Sequence, residues 1–190
     1  MRMEYDEDLI EDILYDIEEQ ECDKLVLILV GSRQQPMMKT RIQKMSLIYN
    51  QAYTTNREHE AYYFGGYSDD IDESYTSLLE TGVLMSKSSG YVLSEFGENL
   101  ISVLKNKGND KELVDRIGRM EQSLGSIEDK SLVAITYELF PDLAEKSTIA
   151  RSISPLIKSL MLNDKPLVDW NADEFLNHVR KGEIIHTRRG

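Results

Sequence analysis

Cysteine is almost missing from this chain. Among 190 residues only Cys22 carries a thiol, which excludes an internal disulfide and a multi-cysteine zinc site and fits a reducing, cytoplasmic setting. Histidine is nearly as scarce. His59, His178 and His186 are the full set, no two stand at i, i+4, and Glu58-His59-Glu60 is not a metalloprotease helix. Surface positions are expected for all three. No apolar run approaches the roughly 18 residues of a membrane span, and the acidic opening, Met1 to Asp23, does not read as a signal peptide. Bases are outnumbered, 22 Lys and Arg against 34 Asp and Glu, for a net charge of -12. That balance disfavours a diffuse binder of nucleic acid or of anionic membrane.

Enzyme signatures are missing as well. No G-x-S-x-G elbow occurs, nor any Cys/His arrangement of recognisable spacing. The stretch Val30-Gly31 to Lys39-Thr40 invites a phosphate-loop reading, but Gly31 lies eight residues before Lys39 and Met38 occupies the second glycine position. A bulky side chain there keeps the backbone away from a phosphate. The chain is therefore expected to be non-enzymatic and to need no cofactor or metal.

What the sequence does contain is patterned. Hydrophobic residues are 41% and charged residues 29%, a globular composition. At this length folding buries roughly 70% of the extended-chain surface. The charge is uneven: residues 1–23 hold eleven acids and one base, which is ten of the twelve net negative charges. In the same segment Leu9, Ile10, Ile13, Leu14 and Ile17 form one apolar stripe at helical spacing. The economical reading is a solvated acidic face on a docked helix. The alternative is an acidic arm for a basic partner surface.

Lys24 to Gly31 is short and apolar, so strand and buried helix both remain open on periodicity. A second helix is expected over roughly Lys39 to Ala52, with Lys39, Arg41 and Lys44 on its polar face. A third should start after Ser68 with Asp69, Asp70, Asp72 and Glu73 in its first turn and end near Gly82. Val83 to Leu93 reads as a hairpin around a Ser/Gly tip, and a helix follows Ser94. The second half reads as helical. One helix starts near Asn109 and Glu112, another is stopped by Pro141, and a further one runs from Ile149 to Leu160. The last opens on Asn171 with Glu174 and closes at Gly182.

Helix, helix, helix, hairpin, helix is the order of a winged helix-turn-helix. The expected fold class is mostly α with a small β-hairpin wing, followed by a helical C-terminal extension. The expected divisions are 1–23 (acidic helix), 24–107 (winged-helix domain) and 108–190 (extension, able to supply a dimer interface), with 106–110 as the boundary segment.

Four places carry a resemblance. Thr40-Arg41-Ile42-Gln43-Lys44 resembles a T-R-[hydrophobic]-Q-K motif, and Phe64-Gly65-Gly66-Tyr67-Ser68 is similar to F-G-P-Y-S with Gly66 in place of the proline. Tyr91-Val92-Leu93-Ser94 with Gly97 resembles a wing's return strand and the helix after it, and Phe140 to Ser147 resembles Y-P-E-Y-A-x-K-S. Together they span about 25–147 and resemble a family of uncharacterised prokaryotic winged-helix proteins. The resemblance implies the fold, favours helix for Lys24 to Gly31, and implies very little function.

A recognition helix places its N-terminal part in the major groove. Here that part carries four carboxylates, and a like-charge pair at 4 Å costs about 1 kcal/mol even in water. Standard docking is therefore disfavoured. Phosphate contacts would fall to Lys39, Arg41 and Lys44, with Arg33 before them and Lys87 in the wing tip. The plainer reading is solvated cations balancing nearby acids, or an internal salt bridge to the acidic third helix. Tyr62, Tyr63, Tyr67 and Tyr75 are expected as core packing, with partner anchoring or base stacking as the alternative. Two functions follow. The first is a DNA-linked transcriptional regulator acting as a homodimer. The second is a protein-interaction module, antitoxin-like or adaptor, whose acidic helices bind a basic partner.

Overall fold

The computed structural model describes residues 7–54, 59–107 and 110–188. The first helix, α1 (Glu7–Glu19), buries Leu14 and Ile17 and leaves Glu11, Asp12, Asp16 and Glu19 exposed. The segment that periodicity leaves open is helix α2 (Glu21–Gly31), and Leu25 to Val30 are all buried. A helix apolar on every side belongs in a core, and α1, α4 (Asp69–Glu80) and α5 (Glu95–Lys107) all pack on it. Between them come α3 (Lys39–Tyr53) and the hairpin β1 (Leu84–Lys87) with β2 (Gly90–Leu93). The protein is thus mostly α with a small hairpin wing.

Local chemistry explains the boundaries. Gly82 takes the left-handed conformation (φ 74°) just past α4. Ser94 opens α5: its hydroxyl accepts from the Gly97 N–H at 3.0 Å and donates to the Gly82 carbonyl at 2.6 Å. The wing is extended by Met37, whose N–H and carbonyl exchange 2.9 Å hydrogen bonds with Tyr91.

The second half holds α6 (Lys111–Leu124), α7 (Asp129–Leu139), a 3-10 turn at Pro141–Ala144, α8 (Ala150–Ile153) and a 3-10 turn at Ser154–Ser159. The expected start of α6 at Asn109 lies outside the described residues. The expected continuous helix from Ile149 to Leu160 does not form. Pro155 supplies no N–H, so the turn tightens to 3-10 and the chain leaves as strand β3 (Leu160–Leu162). A small sheet absent from the sequence reading follows, with β4 (Lys165–Pro166) and β5 (Ile185–Thr187) on either side of β3, both antiparallel. Its signal is Asn163-Asp164: both residues are left-handed (φ 50° and 58°), the two-residue turn that twists correctly into a hairpin.

Helix α9 (Ala172–Lys181) is capped at both ends as its sequence requires. Asn171 and Glu174 form a reciprocal capping box, and Gly182 (φ 73°) closes the helix with its N–H on the Val179 carbonyl. Asn171→Ala is expected to cost about 1 kcal/mol of stability, read as a lowered urea midpoint, and an unchanged midpoint would mean the cap contributes nothing.

The described chain forms two compact units. The first comprises residues up to Ile42 and Asp69–Val114, and the second Gln43–Ser68 with Asp115–Gly190. The first has its core around α2 with Ile71, Leu78, Leu84 and Leu100. The second centres on Met45, Ile48, Ile117, Leu132 and Phe175. No helix among the described residues is long and apolar enough to cross a membrane.

Candidate interaction site

The cations expected to meet phosphate are mostly committed elsewhere. In the first unit, Lys39 at the start of α3 pairs with Asp72 of α4, and its ammonium lies 5.0 Å from the centroid of the Tyr75 ring. Tyr75 donates its hydroxyl to the same carboxylate and stacks on Tyr91 of the wing at 5.3 Å. Burial, with the hydrogen bond to Asp72, pushes the Tyr75 phenol far above its ordinary value. This is a salt bridge from the second helix to the acidic third helix, carried by Lys39. Arg41 is 4% exposed, too deep to reach a duplex. Lys87 is exposed at the wing tip, and Arg33 is half-buried.

In the second unit Lys44 is 2% exposed and donates to the Gly66 carbonyl at 2.8 Å. Removal from water lowers its pKa to about 8, because burial penalises the ammonium form. Gln43 beside it makes a two-point clamp. Its amide nitrogen donates to the Ser68 carbonyl at 2.9 Å, and the Ser68 N–H donates to its oxygen at 3.0 Å. The Gln-Lys end of the first motif therefore binds the backbone of the second.

A third motif joins the same assembly. Leu143 packs on Gly66, where an added Cβ would sit 3.1 Å from its Cδ1 and 2.9 Å from Cδ2 of Leu47. Ser147 donates to the Tyr137 hydroxyl at 2.7 Å. The Tyr137 ring covers Gly65 so closely that a Cβ there would lie 2.2 Å from Cε1. Gly65 is left-handed (φ 79°), a conformation glycine takes without strain. Burial raises the Tyr137 phenol above its ordinary value, opposed by the Ser147 hydrogen bond.

The result is a loop fixed at both ends and along its back. Glu60 and Tyr67 exchange backbone hydrogen bonds of 2.8 and 2.9 Å, Gly65 N–H turns back to the Tyr62 carbonyl at 3.0 Å, and Thr148 N–H reaches the Tyr63 carbonyl at 3.2 Å. Its tip points outward. Tyr62, Tyr63 and Phe64 are 48%, 58% and 55% exposed. Core packing, the expected role of this tyrosine group, holds for Tyr75 and fails for Tyr62 and Tyr63. His59, at the foot of the loop, is buried rather than on the surface, while His186 is exposed and His178 is half-buried against Trp170.

On α4 Asp72 is engaged by Lys39 and Tyr75, and Asp69, Asp70 and Glu73 are solvent-exposed. Neighbouring Asp23 of α2 is held above the usual carboxylate range by burial, opposed by a hydrogen bond with Ser74. Among the described residues no group of three or more His, Cys, Asp or Glu side chains is arranged to hold a metal ion. No family model, curated protein or solved structure matches the chain.

Proposed function

We propose that this is a non-enzymatic protein on a winged-helix scaffold, of the kind its motifs resemble, and that it acts as a protein-interaction module for a basic partner. One observation carries the reading. Of the cations of α3, Arg41 and Lys44 are buried and Lys39 pairs with Asp72 at the surface, while Asp69, Asp70 and Glu73 of α4 are exposed. Where a groove reader presents cations to phosphate, this helix presents carboxylates. Glu11, Asp12, Asp16 and Glu19 of α1, which also packs on α2, are exposed as well.

A fluorescein-labelled oligo-arginine peptide and a fluorescein-labelled duplex DNA of similar length are the probes, each titrated with the protein in a separate experiment at low salt. Binding of the peptide and none of the duplex is expected. Neutralising the α4 acids together (Asp69→Asn, Asp70→Asn, Glu73→Gln) should weaken the peptide about five- to thirtyfold, since exposed ion pairs contribute up to about 1 kcal/mol each. Duplex binding that resists this change, or peptide binding that ignores it, would sink the reading. In the same proposal two copies pair through residues 108–190, and a sedimentation mass of one chain counts against that pairing.

A further inference from the structure

We propose that the second unit carries a binding site for single-stranded nucleic acid, built from the aromatic loop tip and the cationic face beside it. The inference is separate from the basic-partner reading and uses none of the same side chains.

The first component is the platform. Tyr63 and Phe64 each show more than half their surface. Tyr62 stacks on Tyr67 and meets Tyr63 edge-on, both at 5.0 Å between centroids. Large rings held outward normally cost stability, yet here the backbone beneath them is fixed by Gln43, Lys44, Tyr137 and Thr148. A rigid aromatic surface loses little freedom when a ligand stacks on it, which is how pre-organised sites gain affinity. Every base has a π-face, so stacking tolerates any sequence.

The second component is charge. The Thr148 N–H that holds Tyr63 leads directly into α8. There Ala150, Arg151, Ser154, Pro155 and Lys158 line an open groove of about 430 Å³. In a chain of net charge -12, the stretch from Lys146 to Leu162 contains Lys146, Arg151 and Lys158 and no acid at all. The flanking acids in sequence are Glu145 and Asp164. Ser154 adds a hydroxyl to the groove beside Arg151 and Lys158, while the Ser147, Ser152 and Ser159 hydroxyls donate within the fold. Stacking rings, tied through Thr148 to a stretch whose groove carries Arg151 and Lys158, match the alternating bases and phosphates of an unpaired strand. A duplex does not fit this pairing, because its bases are already stacked and offer edges rather than faces.

The test uses the full chain and fluorescein-labelled oligo(dT) and oligo(rU) of about twelve nucleotides, a length within the range a single stacking groove covers. Anisotropy at about 50 mM salt and upward should show binding that weakens with salt. Tyr63→Ala with Phe64→Ala should lower affinity at least about tenfold through lost stacking. Arg151→Ala with Lys158→Ala should make the slope of log affinity against log salt shallower by about 1.4, two single-strand phosphate contacts. All four side chains are exposed, so the variants should keep the wild-type circular dichroism spectrum, and the duplex should compete poorly. Four outcomes would overturn the proposal: no oligonucleotide binding at low salt, equal competition by duplex, affinity lost with the cations but untouched by the aromatic pair, or capture of a poly-proline peptide in place of the oligonucleotides.

Discussion

Adding a single methyl group at Gly90 is expected to cost the folded state about 3 kcal/mol, from backbone strain and collision together. Gly90 ends the wing turn at φ 135°, a region that residues with a Cβ rarely enter. A Cβ built there would stand 2.6 Å from both the carbonyl carbon and the oxygen of Met37. The obstacle is backbone, so no side chain can swing aside. Relief requires breaking the paired hydrogen bonds between Met37 and Tyr91 that tie the wing to the segment before α3. For a chain of this size the melting temperature of Gly90→Ala should fall by about 6–12 °C. Gly118 is the matched control. It is exposed in the middle of α6, has nothing within 4 Å of an added Cβ, and should gain up to about 1 kcal/mol on becoming alanine. Equal effects at the two positions would mean that the wing contact is not made.

The second large effect is in the pH dependence of stability. Lys44 has a pKa of about 8 in the folded protein because burial disfavours its charge, against an ordinary value of 10.5. Between those values the unfolded chain binds a proton that the folded chain has released. Stability must therefore rise with pH from about 8 toward 10, by on the order of 2 kcal/mol in all and at most about 1.4 kcal/mol per pH unit. Beyond pH 10 the sign reverses. Tyr75 and Tyr137 keep their protons in the folded state, while the same groups ionise in the unfolded chain. The urea midpoint should thus peak near pH 10. Lys44→Met removes the rising limb and leaves the falling one. A rise that survives in that variant would show that Lys44 is not the group responsible.

How much of this could be read in advance depended on how local each signal is. Ser94 before α5, Gly82 after α4, and the Asn171–Glu174 and Gly182 ends of α9 act within a few residues, and each does what its residue type dictates. The hairpin around Ser88 and Ser89 is similarly local. The β3, β4 and β5 strands are two or three residues long, too short for a period to develop, and β5 pairs with β3 across more than twenty positions. The Asn163-Asp164 pair was the one visible sign.

The site was harder to read, because burial of a polar side chain is decided by distant partners. Lys44 looks like a surface cation until the Gly66 carbonyl, 22 residues away, accepts from it. Gln43 and Ser68 stand 25 residues apart, and the side-chain amide of Gln43 meets backbone atoms of Ser68 that leave no compositional trace. In the opposite direction, Tyr63 looks like core and is held outward by hydrogen bonds beneath it. Gln43 and Lys44 meet the backbone of Gly66 and Ser68 inside the fold. These contacts form an internal joint, where Gly65 is needed because it is left-handed and the Tyr137 ring leaves no room for a side chain.

The interleaving of the two units has a consequence for synthesis on the ribosome. The first unit is complete once Val114 has emerged, whereas Gln43–Ser68 belongs with a stretch that begins at Asp115. During translation the aromatic loop is made early and must wait for Tyr137, Leu143 and Thr148 before its supports exist. A nascent chain stalled near its midpoint would present Tyr62, Tyr63 and Phe64 on an unanchored tether, the sort of exposed apolar segment that chaperones bind.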